Sequence, residues 1–313
     1  MPKISVIIPV YGVEPYIARC VIPLLGQHFD GVEYIFIDDC TPDRSMDVLD
    51  AIVEDYPQVK GSLIRYRMPV NSGQAAVRLK GLELAKGDYV IFCDSDDRLH
   101  PDALRLLYER AAAEDLDVVT CDFRRGNDET GWETVRLEYA PSRELSALLL
   151  GKGSWSLCFR LVRRSLYEGV IPPVADMGED MVLTLQATAR ARRCAHIPRV
   201  LYDYYRRADS ITRLPDRDSC MARWKSVKAN TDLMLDYLYA SALFSPADPE
   251  IIAFKYHVRR YVEPLLGTAE GRRLWRETYP EIDARLLQTR EIPLKRRLIY
   301  LSIRAGLYPY LKR

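Results

Sequence analysis

Three acidic clusters carry the chemistry this sequence offers. Asp38-Asp39 follow the apolar run Tyr34 to Ile37, Asp94-Ser95-Asp96-Asp97 follow the apolar run Tyr89 to Phe92, and Glu179-Asp180 follow Gly178 at the start of an amphipathic stretch. An acid at the end of a second strand can accept from a ribose hydroxyl or a base imide, or it can serve as a turn or N-cap residue. Carboxylates packed into four residues repel one another and raise each other's pKa unless a cation neutralises them. Oxygen-only ligands at a strand end suit Mg²⁺ or Mn²⁺, which take few protein groups and leave positions for phosphates; the alternative is a solvated acidic turn. Glu179 and Asp180 can complement a helix dipole, and either can act as a general base if an acceptor hydroxyl comes within reach.

Other chemistries lack their residues. No G-x-G-x-x-G follows the first strand and no G-x-x-x-x-G-K-[ST] occurs, so neither a dinucleotide fingerprint nor a phosphate-cradling loop is present. The four histidines (His28, His100, His196, His257) have no zinc-ligand spacing. A D-x-D at a strand end also serves aspartate-nucleophile phosphatases, but the Thr or Val those enzymes want two residues later is Arg98 here.

The elements that must position these clusters alternate. Strands are expected at Ile4–Ile8, Tyr34–Ile37, Ser62–Ile64, Tyr89–Phe92 and Asp117–Thr120, with helices over Ser45–Tyr56, Gly73–Ala85 and Pro101–Ala113 between them. That alternation predicts an α/β fold with a doubly wound, mostly parallel sheet whose ligands sit at the carboxyl ends of the strands. From 124 to 213 the pattern breaks into a hairpin segment (Gly126–Tyr139), a helix near Arg143–Leu150, an apolar run at Leu157–Val162 and a helix over Gly178–Ala191. After Pro215 helical periodicity dominates. The expected organisation is a catalytic domain over 1–215, with a nucleotide-binding half (1–123) and an acceptor-facing half (124–215), and a helical C-terminal region over 216–313.

The chain has 313 residues, 48% of them hydrophobic, enough for one substantial core and a smaller appendage. A net charge of +1 gives no global pull toward nucleic acid. Seven cysteines without a C-x-x-C pair, and a first apolar run too short to span a membrane or serve as a signal, point to the cytoplasm.

Taken together, Ile4-Ser5-Val6-Ile7-Ile8-Pro9-Val10-Tyr11, Asp38-Asp39-Cys40-Thr41, Asn71-Ser72-Gly73, Arg78 and Asp94-Ser95-Asp96-Asp97 resemble the family 2 glycosyltransferases of the GT-A fold, over roughly the first two-thirds of the chain. The resemblance implies that Pro9, Val10 and Tyr11, with Glu14, border the nucleoside, that Asp39 accepts from the base, and that Arg78 lies near the base or diphosphate. It implies that Asp94 and Ser95 approach the ribose, that Asp96, with Asp94, serves the Mn²⁺ or Mg²⁺ ion, and that Asp180, next to Glu179, is the catalytic base. Leu201 to Thr212 resembles the strand and loop that close over the diphosphate, with Arg207 as the phosphate contact. Trp155 resembles an aromatic near the sugars, core packing being the competing role. Two departures stand in the nucleoside pocket: Cys40-Thr41 where Gly-Ser is usual, and Leu79 after Arg78 where Asn is common.

The implied activity is metal-dependent, inverting transfer of a sugar from a nucleotide-diphosphate donor, with UDP expected as the carrier, to a saccharide or lipid-linked acceptor in polysaccharide or glycolipid assembly. The processive Q-x-x-R-W motif is absent, which favours single additions. An inactive sugar-nucleotide-binding or scaffold protein, and a metal-dependent nucleotidyltransferase or phosphohydrolase, remain alternatives. From Arg290 onward seven basic residues face one acid, Glu291, and Leu298, Leu301, Ala305 and Tyr308 recur at helical spacing. Such a basic amphipathic helix suits a peripheral membrane contact, an oligomer contact, or packing on its own domain.

Overall fold

Ile4–Val10 carries no charge, so as a strand it can be buried on both faces. In the computed structural model, which describes residues 2–207 and 216–307, it is the interior strand β1, and Ile4, Val6, Ile7, Ile8 and Val10 are all fully buried. Parallel strands covered on both sides read as near-continuous apolar runs, and each buried Ile or Val contributes about 1.5–3 kcal/mol. After α1 (Ile17–Leu25), β2 (Val32–Asp38) pairs parallel with β1. Beyond α2 (Ser45–Glu54), β3 (Leu63–Arg67) forms the sheet edge and carries the edge charges Arg65 and Arg67.

The next crossover, α3 (Gly73–Leu84), leads to β4 (Tyr89–Phe92), which pairs parallel with the other side of β1. α3 lies very close on the sheet because Gly81 has no side chain: a Cβ there would come 2.3 Å from Ile7 Cγ2. Arg78 stands three residues earlier on the same helix face.

A short β5 (Arg98–Leu99), α4 (Ala103–Ala113) and β6 (Val118–Asn127) follow, and β6 turns into a hairpin with β7 (Gly131–Val135). The helix expected near Arg143–Leu150 is α5 (Glu144–Leu149). β8 (Arg160–Arg163) lies antiparallel between β4 and β6. α6 (Glu179–Arg190) precedes β9 (Cys194–Tyr205), a long strand parallel to β6 that also takes in β5. The strand order is β3-β2-β1-β4-β8-β6-β9-β5, with β7 on β6. The sheet is therefore mixed and mostly parallel, and β8 is its antiparallel insert.

The described residues divide into two compact units: those of Met1–Ser142, Trp155–Pro172 and Glu179–Ala208, and those of Arg143–Ser154, Pro173–Gly178 and Asp209–Arg313. The first holds the whole sheet. In the second, α7 (Arg217–Ala240) is capped by Asp216, which accepts from the Ser219 N–H at 2.9 Å. α5, α8 (Pro249–Arg259), α9 (Ala269–Glu277), α10 (Asp283–Leu286) and α11 (Leu294–Arg304) complete it. Asn230 of α7, fully buried, accepts from the Val174 N–H and donates to the Ala175 and Met177 carbonyls, which fixes segment 173–178 within this unit.

Candidate active site

β4 ends at Phe92 and delivers Asp94-Ser95-Asp96-Asp97 to the carboxyl edge of the sheet. Each aspartate there has a different partner. Asp94 Oδ1 accepts from Arg78 Nη2 at 2.9 Å, and Asp96 Oδ2 accepts from Arg207 Nη1 at 3.3 Å. Asp97 accepts from the Tyr202 hydroxyl at 2.5 Å and the Tyr205 N–H at 2.8 Å, so it ties the turn to β9. Ser95 is buried between them. Burial first, and the Asp94 charge second, push the Asp96 carboxyl up, although Arg207 pulls the other way. Asp97 is raised further, by burial and then by Asp96 and Asp94. Two guanidiniums thus leave the cluster short of positive charge.

Arg78 links this turn to the third acidic cluster. Its Nη1 lies 3.0 Å from Glu179 Oε1, close enough for an ion pair but out of line for a hydrogen bond. Its Nε has no hydrogen-bond partner among the described residues, although the residue is only 3% exposed. Burial would lower the Arg78 pKa, but Asp94 and then Glu179 raise it and keep the side chain charged. Gly178, at φ +88, precedes α6, whose first residues are Glu179 and Asp180. Burial pushes Glu179 up to about 7 against the pull of Arg78, and the Asp180 charge adds to the rise. Asp180 is raised as well, by burial first, while Arg78 and the Met181 N–H, which donates to Oδ1 at 2.7 Å, oppose the rise. The Asp94 charge is felt at both Glu179 and Asp180, so the two clusters share one electrostatic neighbourhood.

At the other end of the row, the Asp39 N–H donates to the Val10 carbonyl at 3.0 Å and so joins the ends of β1 and β2. Asp39 Oδ1 and Oδ2 accept from the Ser72 and Gly73 N–H groups at 2.7 and 2.9 Å, which caps α3. An ionised carboxylate has about four acceptor sites, so this leaves Asp39 capacity for another donor. Pro9 pairs in register with Ile37, and Tyr11 projects from the strand end, half exposed. Glu14 Oε2 accepts from the Arg44 N–H, and the Glu14 N–H donates to Asp43. Burial pushes Asp43 up, but bonds from Ser45, Thr41 and Glu14 outweigh it and hold the carboxyl at about 2. Cys40 takes φ +57, a left-handed conformation that glycine adopts without strain.

Several participants escaped the motif reading. Arg19 of α1 donates to the Asp96 carbonyl and stacks 3.5 Å from the Tyr205 ring centroid, while Arg207 lies 4.5 Å from the Tyr16 centroid. Both arginines therefore hold the acidic turn against an aromatic pair, Tyr16 and Tyr205. Their signal is three-dimensional, since no local pattern marks position 19. Trp155 is half buried, and its carbonyl accepts from Thr184 Oγ1 at 2.7 Å. Residues 208–212 of the expected diphosphate loop lie outside the described residues.

Asp94 and Asp96 offer carboxylate oxygens, a donor type that suits Mg²⁺ or Mn²⁺, and the Asp94 charge raises Asp96; no group of three or more His, Cys, Asp and Glu among the described residues is placed to hold a metal ion.

With that geometry in place, the comparisons with known proteins decide the family. Residues 5–170 match the family described as Glycosyl transferase family 2. The chain belongs to that family. It is 30% identical over 226 residues to the uncharacterized glycosyltransferase EpsJ of Bacillus subtilis, covering 69% of this chain and 64% of that protein. It is also 30% identical over 226 residues to the uncharacterized glycosyltransferase YibD of Escherichia coli, with 68% and 64% covered. The family 2 chain thus spans a little under two-thirds of these relatives. Its fold is shared with S. aureus TarS 1-349 in complex with UDP-GlcNAc (TM-score 0.59, 17% identity, 91% of this chain and 92% of that one). It is shared likewise with the mannosyltransferase PcManGT of Pyrobaculum calidifontis in complex with GDP-Man and Mn2+ (TM-score 0.57, 17% identity, 100% and 88%). No helix among the described residues is long and apolar enough to cross a membrane.

Proposed function

We propose that this family 2 chain is an inverting glycosyltransferase that moves one sugar at a time from a UDP-sugar to an acceptor hydroxyl in the cytoplasm, on saccharide or lipid-linked acceptors of cell-surface polysaccharide or glycolipid assembly. The observation that carries the reading is Arg78, which pairs with Asp94 of the metal-type turn and with Glu179 beside Asp180. Those two pairs support a single site with a phosphate-binding end and a base-bearing end. The nucleotide-sugar complexes of TarS and PcManGT support the donor class, and the Mn2+ of the latter supports the cation.

Asp96 and Asp94 are the residues that would hold the cation, which when bound supplies positive charge opposite a departing diphosphate. The chain's own residues do the rest. Asp180 accepts the proton of the acceptor hydroxyl as that oxygen bonds to the anomeric carbon and the bond to the diphosphate oxygen breaks on the opposite face. Its raised pKa makes it a better base than an ordinary aspartate. Arg207 adds a guanidinium toward the leaving oxygens, and Arg78 keeps Asp94 and Glu179 fixed relative to one another. Tyr11, Glu14 and Asp39 border the base and ribose.

Incubation with a panel of UDP-sugars and GDP-Man, with and without Mn²⁺ and with saccharide acceptors, tests this. Release of UDP that needs Mn²⁺ and rises with acceptor is expected. GDP release would correct the base, sugar phosphate or pyrophosphate would indicate nucleotidyl transfer or phosphohydrolysis, and donor binding without turnover would indicate a binding protein.

A further inference from the structure

We propose that α11 is a membrane-docking helix that lies on an anionic lipid surface. The helix is bolted to its own unit through one aromatic residue. Tyr300 is fully buried and meets Tyr256 edge-on at 6.5 Å, and the Tyr256 hydroxyl donates to the Arg296 carbonyl at 3.0 Å. That contact decides which side is left over. At about 100° per residue, Leu294, Leu298, Leu301 and Ala305 fall within about 60° of one another, on a flank turned away from Tyr300. The three leucines are 63%, 56% and 43% exposed. A stripe of exposed leucines on one helix is not scattered surface apolarity, since leucines are costly to leave in water together.

Charge selects the occupant. From Ile292 to Leu307 the sequence holds Lys295, Arg296, Arg297 and Arg304 and no acid. On the helix, Lys295 borders the leucine stripe on one side, and Arg297 and Arg304 border it on the other. Lys295 and Arg304 are exposed, Arg304 also donating to the Tyr300 hydroxyl at 3.3 Å, and Arg297 is anchored on the Leu287 carbonyl at 3.0 Å. Apolar residues between two basic margins are the arrangement of an interfacial helix, with leucines entering the acyl boundary and cations at the phosphates. A second copy of the same helix would instead set the basic margins against one another. The proposal does not depend on the catalytic reading.

Co-sedimentation of the full chain with vesicles of phosphatidylcholine, with and without phosphatidylglycerol, tests it. The protein is expected to pellet with the anionic vesicles, to pellet poorly with neutral ones, and to come off as salt rises. The variant Leu294→Gln, Leu298→Gln, Leu301→Gln is expected to lose pelleting by about tenfold or more while its circular dichroism and melting temperature stay those of the parent, because these side chains are exposed. Charge reversal by Lys295→Glu with Arg304→Glu is expected to remove the preference for anionic vesicles. Failure of the parent to pellet, equal pelleting of parent and leucine variant, or a parent dimer in sedimentation velocity that the leucine variant dissociates without any vesicle binding would each overturn it.

Discussion

Arg78 and Arg259, two of the three arginines buried among the described residues, are buried differently. Arg259, in the helical unit, is fully enclosed and each of its three guanidinium nitrogens donates to a fixed acceptor: Nε to the Thr278 carbonyl at 2.7 Å, Nη2 to the Tyr279 carbonyl and Nη1 to Asp283. Arg78, in the sheet unit, has an unsatisfied Nε and an ion pair to Glu179 that misses hydrogen-bond alignment, and carboxyls around it are raised. An arginine with every nitrogen engaged is a structural fastening. An arginine with donors to spare among raised carboxyls is the arrangement expected where chemistry is done.

The sharpest break of that comparison is Asp180→Asn, which should cut transfer by about 10³–10⁴ while donor binding survives, read as UDP release against binding in calorimetry. Next, Arg78→Met should lower turnover by about a hundredfold or more, a loss of electrostatic positioning, in single-turnover assays. Arg259→Met should do the reverse: about 3 kcal/mol of stability lost in denaturant melts, with turnover per folded molecule kept.

Glu179 sharpens the contrast through pH. Its folded pKa, about 7, lies above the ordinary 4.5, so between those values the folded state holds a proton that the unfolded state releases. Stability from this group is fully present below about pH 4.5 and is lost as pH rises toward 7. Glu179→Gln should flatten that slope in thermal melts across the window. Smallest of all, Cys40→Gly should stabilise by up to about 1 kcal/mol by relieving its left-handed backbone, less the weak thiol bond to the Met68 carbonyl.

Much of the sheet unit was legible because its strands are uninterrupted apolar runs and its acids sit where those runs stop. β1, β2 and β4 and the helices α3 and α4 all follow from periodicity, and the acidic turn follows from β4. The rest hides for physical reasons. β9 starts at Cys194 but contains Pro198 and Arg199, only Ala195 of its first six residues is buried, and its register with β6 shifts at Asp122, so only its end near Leu201 reads as strand. α1 carries Pro23 in its last turn, which obscures the helix and with it Arg19. The antiparallel entry of β8 between β4 and β6 is a pairing choice, and local pattern carries no record of pairing. Glu179 and Asp180 could be read as first-turn acids, but their link through Arg78 needed three dimensions.

Asp97 sets a tolerance on the chain that follows it. Because its two oxygens clasp the hydroxyl of Tyr202 and the amide of Tyr205, the turn and the last strand are fastened like two ends of a ruler, and Arg207 begins only two residues past the clasp. Its reach to Asp96 is therefore set by chain length, and one residue inserted between 205 and 207 would throw the guanidinium off by a whole residue's span, about 3.3 Å.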